Sequence, residues 1–325
     1  MTTTTDLRRV AVIGGSGFLG SAIVARLAAA GIDVRALVRR PERMPESARA
    51  EGRGAVEVLQ ADVRDNGAMA LALADCDAVV NAVGLYVEEK GTQDAQSFEA
   101  VHELGALNTA QHCSGIGIGR LLHISGIGAD PRSASRYVRA RALGEELVRK
   151  AFPQATILRP SAVFDPEDRF INTLAGIARI SPLIPLFGQG ETKLQPVYRG
   201  DVAEAVLRAL GDPAARGRTY ELGGPKAYSY RALIELIMAR SGRQRRLLPV
   251  PFPLWDGLAA AAALLPKPPL TDAQVTLMKR DNVVAEGAYG LLDLGIEPTA
   301  LEDILPRYAF FAESGAMMSS ALDGA

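Results

Sequence analysis

Two cysteines, three histidines and one tryptophan are spread over 325 residues. Cys76 and Cys113 stand apart in apolar helical contexts, which excludes a disulfide framework and reads as two reduced, core-packed thiols of a cytoplasmic protein. His102, His112 and His123 share no ligand spacing with them, so no metal site is expected. The net charge is −1, which leaves no electrostatic footprint for nucleic acid. No apolar run reaches the roughly 18 residues that cross a bilayer, and Met1–Arg9 is too short and too polar for a signal peptide. What is present is an ordinary globular balance, 48% hydrophobic and 22% charged, enough for one large core or two modest ones.

Against this plain background one stretch stands out, Val10-Ala11-Val12-Ile13-Gly14-Gly15-Ser16-Gly17-Phe18-Leu19-Gly20. A short apolar run ends in glycines and a helical pattern, Phe18 to Ala30, begins at once. The glycines satisfy two registers, Gly15-x-Gly17-x-x-Gly20 and Gly14-x-x-Gly17-x-x-Gly20. In a dinucleotide-binding turn the first glycine reverses the chain, the middle one lets backbone approach a pyrophosphate, and the last lets helix pack close on strand. The helix then offers its unpaired N–H groups and positive dipole end to the phosphates. Strand before and helix after supply the context that a bare glycine pattern lacks.

Further strands are expected at Asp33–Val38, Val56–Leu59, Ala78–Val83, Leu121–Ser125 and Thr156–Leu158. Helices are expected at about Asn66–Ala74, Ala95–Ser114 and Ser135–Ala151. Alternation of this kind predicts a Rossmann-type, doubly wound parallel sheet over residues 1–160, an α/β fold. Beyond Pro160 prolines multiply and elements shorten, which predicts a smaller α+β C-terminal region over 161–325, with the segment at about 194–212 returning to the first domain. There a capped helix start at Asp201, a strand Thr219–Leu222 and a helix Ser229–Ser241 are expected. Thr271-x-x-Gln274 and Thr299-x-x-Glu302 have the form of capping boxes, each opening a helix. The last dozen residues are small and polar and are expected to fray.

The carboxylate that grips a ribose in NAD enzymes belongs at the end of the second strand, about 20 residues past the glycines. Arg39 and Arg40 stand there instead, which favours a 2′-phosphate and hence NADPH, unless the pair is only solvated. Asp62-Val63 ends the third strand, where the carboxylate either receives the adenine amino group or caps its own loop. Ser125 ends the fifth strand, and Tyr137 and Arg141 share a helix face at i and i+4. Serine, tyrosine and cation can do acid–base work beside a nicotinamide. Equally, Tyr137 can be packing and Arg141 can pair with Glu145. The cofactor set is Gly14, Ser16, Gly17, Phe18, Leu19, Gly20, Arg39, Arg40, Asp62, Val63, Ala82, Val83, Gly84, Tyr137, Arg141 and Pro160. The proline-punctuated Pro249–Pro269 stretch is either internal core or an exposed apolar contact, with Trp255 as its natural anchor.

The glycine turn, Asp62-Val63, Ser125 and Tyr137-x-x-x-Arg141 resemble the atypical or extended short-chain dehydrogenase/reductases. More narrowly, the chain from about residue 10 to 310 resembles the accessory subunit nine of respiratory complex I and its bacterial relatives. The marks are Ser135-Arg136-Tyr137 with Gly144-Glu145, Leu158-Arg159-Pro160-Ser161-Ala162-Val163-Phe164, Pro166-Glu167-Asp168-Arg169-Phe170-Ile171-Asn172, Gln195-Pro196-Val197-Tyr198 with Gly200-Asp201-Val202, and Asp293-Leu294-Gly295-Ile296. The resemblance implies a tightly held NADPH of mainly structural role. It also implies membership of, or help in assembling, the NADH:quinone oxidoreductase, with peripheral association at the cytoplasmic face of the inner membrane. Active members place lysine where this chain has Arg141, which disfavours turnover. The alternatives are a working NADPH-dependent reductase or nucleotide-sugar epimerase/dehydratase, and an NADPH-sensing regulatory module.

Overall fold

The computed structural model describes residues 7–48, 52–88, 96–265 and 270–310. The prolines at 266–269 and the tail expected to fray lie outside the described residues.

Strand β1 (Arg9–Ile13) holds Val10 to Ile13 buried inside a sheet, because both of its faces are covered. Helix α1 (Phe18–Ala29), β2 (Asp33–Val38), β3 (Val56–Gln60), α2 (Asn66–Ala72) and β4 (Ala78–Asn81) follow. A π-helical turn (Glu99–Leu104) runs into α3 (Gly105–Gly115), then come β5 (Arg120–Ile124), α4 (Arg136–Ala151) and β6 (Thr156–Pro160). The chain continues through β7 (Val163–Phe164), α5 (Arg169–Ile180), β8 (Leu183–Phe187), β9 (Lys193–Leu194) and β10 (Val197–Tyr198). Next are α6 (Arg199–Gly211), β11 (Thr219–Leu222), β12 (Tyr228–Ser229), α7 (Tyr230–Arg240) and β13 (Arg246–Val250). The last are α8 (Phe252–Ala262), α9 (Asp272–Leu277) and α10 (Leu301–Ile304).

The sheet order is β11-β6-β5-β4-β1-β2-β3, and every neighbouring pair is parallel. Strand order reverses between β1 and β4, the topological switch point beyond whose carboxyl ends such sheets bind ligands. The glycine turn closes β1 there, and Ala82–Gly84 follow β4 beside it, Ala82 N donating to Ile13 O at 3.0 Å. One face of the sheet packs Ile13, Val79, Leu121 and Ile157 against Met69, Ala110 and Cys113. Helix α6 lies beside α1, tied to it by a 2.5 Å ion pair between Arg26 and Glu204.

The chain divides into two units. The first contains residues 1–160, Arg199–Leu222 and Ala285–Glu297; the second contains Ser161–Tyr198, Gly223–Val284 and 298–325. In the second, Ile171, Leu186, Leu233, Ile237 and Tyr308 form the core, and β8 and β13 pair in parallel.

Several expected boundaries shift for local reasons. The strand expected to run to Val83 stops at Asn81, because the Asn81 side chain turns back to accept from Val83 N at 3.2 Å. Ser135 and Ser229 are not helical residues but caps, each accepting from the backbone N–H three residues on. The Thr271–Gln274 capping box forms in full. The box at Thr299–Glu302 does not form. The helix there starts at Leu301 with Ala300 as its cap, and the Glu302 carboxylate instead accepts from Tyr228 Oη at 2.7 Å. No helix among the described residues is long and apolar enough to cross a membrane.

Candidate dinucleotide site

Three of the four glycines of the turn have separable jobs. Gly14 sits at φ +80°, a conformation that penalises a side chain, and its N–H donates to Leu37 O at 2.9 Å. Gly20 packs so close that an added Cβ would stand 2.1 Å from Gly14 O. Gly17 is different. It is exposed, and within 4 Å its Cβ would meet only Gly14 O, at 3.2 Å. Gly17 is also the cap of α1, and no side chain occupies the first-turn N–H groups. A backbone cradle that a side chain would crowd, at an uncapped helix start, suits a pyrophosphate. Ser16 and Leu19 are half-buried and Phe18 is exposed at this rim.

Arg39 and Arg40 follow β2 directly, both exposed. The turn bonds to Leu37 O through Gly14 N and Gly15 N, so the two guanidiniums stem from the strand end that the turn grips. Asp62 is engaged by its own loop. Arg64 donates to Oδ1 through its backbone N at 2.9 Å and through Nε at 3.0 Å, and to Oδ2 through Nη2 at 2.7 Å. This is the loop-capping arrangement; Arg64 holds both carboxylate oxygens. Val63 is buried against α3, where a Cβ on Gly105 would lie 2.6 Å from its Cγ2. Gly84 is exposed, and Pro160 is buried with its carbonyl accepting from Ile127 N.

Tyr137 and Arg141 meet as their i, i+4 spacing requires, Arg141 Nη1 donating to Tyr137 Oη at 2.7 Å. The guanidinium carbon lies 5.3 Å from the phenol ring centroid. Gly126, just after β5, makes room for it, since a Cβ there would be 2.5 Å from Nη1. Tyr137 is 4% exposed. Its ring is enclosed by Tyr86, Phe98 and His102, with centroids 5.5, 5.5 and 5.6 Å away. Burial raises the phenol pKa well above its ordinary value, and Arg141 offsets that only in part. Arg141 does not pair with Glu145. That buried carboxylate takes a forked contact from Arg159 on β6, at 2.7 Å from Nη2 and 3.0 Å from Nε. Burial would raise the Glu145 pKa, but the Arg159 hydrogen bonds and charge outweigh it and hold the group below the usual carboxylate range. Ser125 Oγ is buried without a well-formed hydrogen bond, Glu145 being the carboxylate beside it.

Helix α8 answers the question posed by the proline-punctuated stretch with a split. Trp255 is not the outward anchor. Its Nε1 donates to Leu186 O at 3.0 Å and its ring stacks on Phe187 at 4.4 Å, because an indole N–H leaving water needs an acceptor. The leucines face out instead, Leu254 at 60% and Leu258 at 55% exposure. Two participants escape sequence reading. Tyr86 covers Tyr137 from a loop with no motif. Arg199 opens α6, where the helix start is expected only at Asp201, and it lies over Phe18.

The profile of a family described as NAD(P)H-binding matches residues 14–213. The Arabidopsis thaliana protein named NADH dehydrogenase (ubiquinone) 1 alpha subcomplex subunit 9, mitochondrial, is 33% identical over 302 residues, 90% of this chain and 74% of that one. The chain belongs to the NAD(P)H-binding subunit 9 family. A ceramide reductase of Caulobacter vibrioides is 28% identical over 264 residues, covering 80% of this chain and 78% of its own. Among solved structures, an epimerase of Methanothermobacter thermautotrophicus aligns with a TM-score of 0.72 at 17% identity, over 98% of this chain and 96% of that one. That likeness shows the extended dehydrogenase/reductase fold. As a member of the NAD(P)H-binding family the chain binds a nicotinamide cofactor, and the uncapped glycine turn at the switch point suits it.

Proposed function

We propose that this chain is an NADPH-binding accessory or assembly protein of the NADH:quinone oxidoreductase, complex I, with little or no catalysis of its own. It works at the cytoplasmic face of the inner membrane, held there by its partners. Two arginines and no carboxylate at the end of β2 favour NADPH, since guanidinium matches a 2′-phosphate in geometry and charge. The observation that carries the accessory reading is the enclosure of Tyr137. At 4% exposure, packed among Tyr86, Phe98 and His102 and with its hydroxyl already taken by Arg141, it offers a substrate carbonyl little access. A phenol whose pKa is raised by burial is also poorly matched to proton transfer near neutral pH. Arginine, always charged, cannot relay the proton as a lysine ammonium can. The exposed Leu254 and Leu258 give the second unit an apolar surface of the kind that marks protein contacts.

The competing reading, an NADPH-dependent reductase with Tyr137 as acid, draws on the ceramide reductase likeness. One set of measurements separates them. Isolated from its own membranes, the protein should travel with complex I subunits and carry NADPH. Hydride transfer to aldehydes, ketones and nucleotide sugars should stay at background. Tyr137→Phe should leave NADPH binding nearly intact, since the phenol offers one hydrogen bond worth about 1 kcal/mol. Leu254→Ser with Leu258→Ser should release the chain from the particle with NADPH still bound. Turnover that Tyr137→Phe abolishes would replace the accessory reading with the reductase.

A further inference from the structure

A dinucleotide pyrophosphate brings two negative charges to the glycine turn. The first-turn N–H groups of α1 meet it with a partial dipole charge only. We propose that Arg199 supplies the full positive charge for the pyrophosphate of the bound dinucleotide, an assignment that rests on the glycine turn being the cofactor site.

Arg199 is the first residue of α6, the helix packed beside α1. Its Nη2 donates to Ser21 Oγ at 2.7 Å, and its guanidinium carbon lies 4.7 Å from the centroid of the Phe18 ring. Phe18 is the first residue of α1, and Ser21 N closes that helix's first turn onto Gly17 O at 2.9 Å. Ring and hydroxyl fix the guanidinium against the first turn of α1, the helix whose cap is the exposed Gly17. Holding the side chain there beforehand removes much of the ordering cost of a phosphate contact. Arg39 and Arg40 stem from the end of β2, the strand whose Leu37 carbonyl the turn grips. The ADP half of the cofactor thus meets cations at two separate points, Arg199 for the pyrophosphate and Arg39 with Arg40 for the 2′-phosphate.

That division makes the assignment testable with fragments, by titration calorimetry on the full chain. Arg199→Gln and Arg199→Met remove the charge, and the methionine keeps an apolar stem over Phe18. In both variants the Kd for NADPH, NADH and ADP should rise about tenfold, the worth of one charge-assisted hydrogen bond. Binding of adenosine 2′-monophosphate should not change. Ser21→Ala should give a smaller loss in the same pattern. Arg39→Asp should give the mirror image, weakening NADPH and adenosine 2′-monophosphate while sparing ADP. The inference is overturned if both Arg199 variants bind ADP as the wild type does, if their loss is confined to NADPH, or if all four ligands weaken together. A wild-type chain that binds neither dinucleotide removes the cofactor reading itself, and the Arg199 assignment with it.

Discussion

Two imidazoles sit neutral inside the first unit, and burial keeps them so. His102 Nε2 pairs with Leu85 O at 3.0 Å, and His123 is buried with Nδ1 unpartnered. Desolvation lowers both from the usual 6.5 to about 4, and the nearby Arg141 charge adds to the effect. The unfolded chain therefore binds these protons before the folded one does. Stability contributed by the two groups is complete above pH 6.5 and is lost as pH falls toward 4. With about 1.4 kcal/mol per unit, each histidine is worth roughly 3 kcal/mol at most. The thermal midpoint should drop steadily through this window, and His123→Asn should flatten its share of the slope. A midpoint independent of pH over the window would show that neither ring is held neutral. At this scale the sequence is readable where two residues share a helix face, as Tyr137 and Arg141 do. Tyr86 and Arg159 are unreadable because their partners lie 51 and 14 residues away, with no periodicity to connect them.

Within an element the same residue type serves opposite ends, and α1 with its turn separates them. A side chain at Gly20 would drive a Cβ into the Gly14 carbonyl, backbone against backbone, with nothing flexible to yield. Gly20→Ala should therefore cost several kcal/mol, of the order seen for overpacked cores or more, and the chain should reach the insoluble fraction. Gly17→Ala faces a single 3.2 Å contact in otherwise open space. It should fold with a near-native thermal midpoint and bind NADPH more weakly, because the new methyl group occupies the pyrophosphate's approach. Equal solubility of the two variants would contradict this division. A capped helix start was legible as such at Thr271, and to within one residue at Ser135 and Ser229, which cap the helices expected to begin with them. The start of α6 was not, since Arg199 carries no capping signal. Nor was the π-helical turn at Glu99–Leu104, whose composition is ordinary for an α-helix.

For the whole chain, the first strands and helices follow one another in sequence, and their alternation was enough to read the parallel sheet. The strand that completes it, β11, pairs with β6 after the chain has left the first unit and come back. No local pattern reports such a pairing. Its consequence is measurable. A chain ending at Pro160 lacks α6 beside α1 and leaves β6, buried along most of its length, as a bare edge. Such a fragment should aggregate or unfold without a cooperative transition, whereas the chain through Glu297 should retain cofactor binding. A soluble, cooperatively folded 1–160 fragment that binds NADPH would contradict this. The two returns to the first unit also set an order in time. The glycine turn is made well before Ala285–Glu297, yet the unit around it closes only after Glu297 has emerged. At roughly 5–20 residues per second that delay is on the order of 15–60 s. A nascent chain stalled before Glu297 therefore lacks part of the unit that surrounds the glycine turn, and should not retain the cofactor.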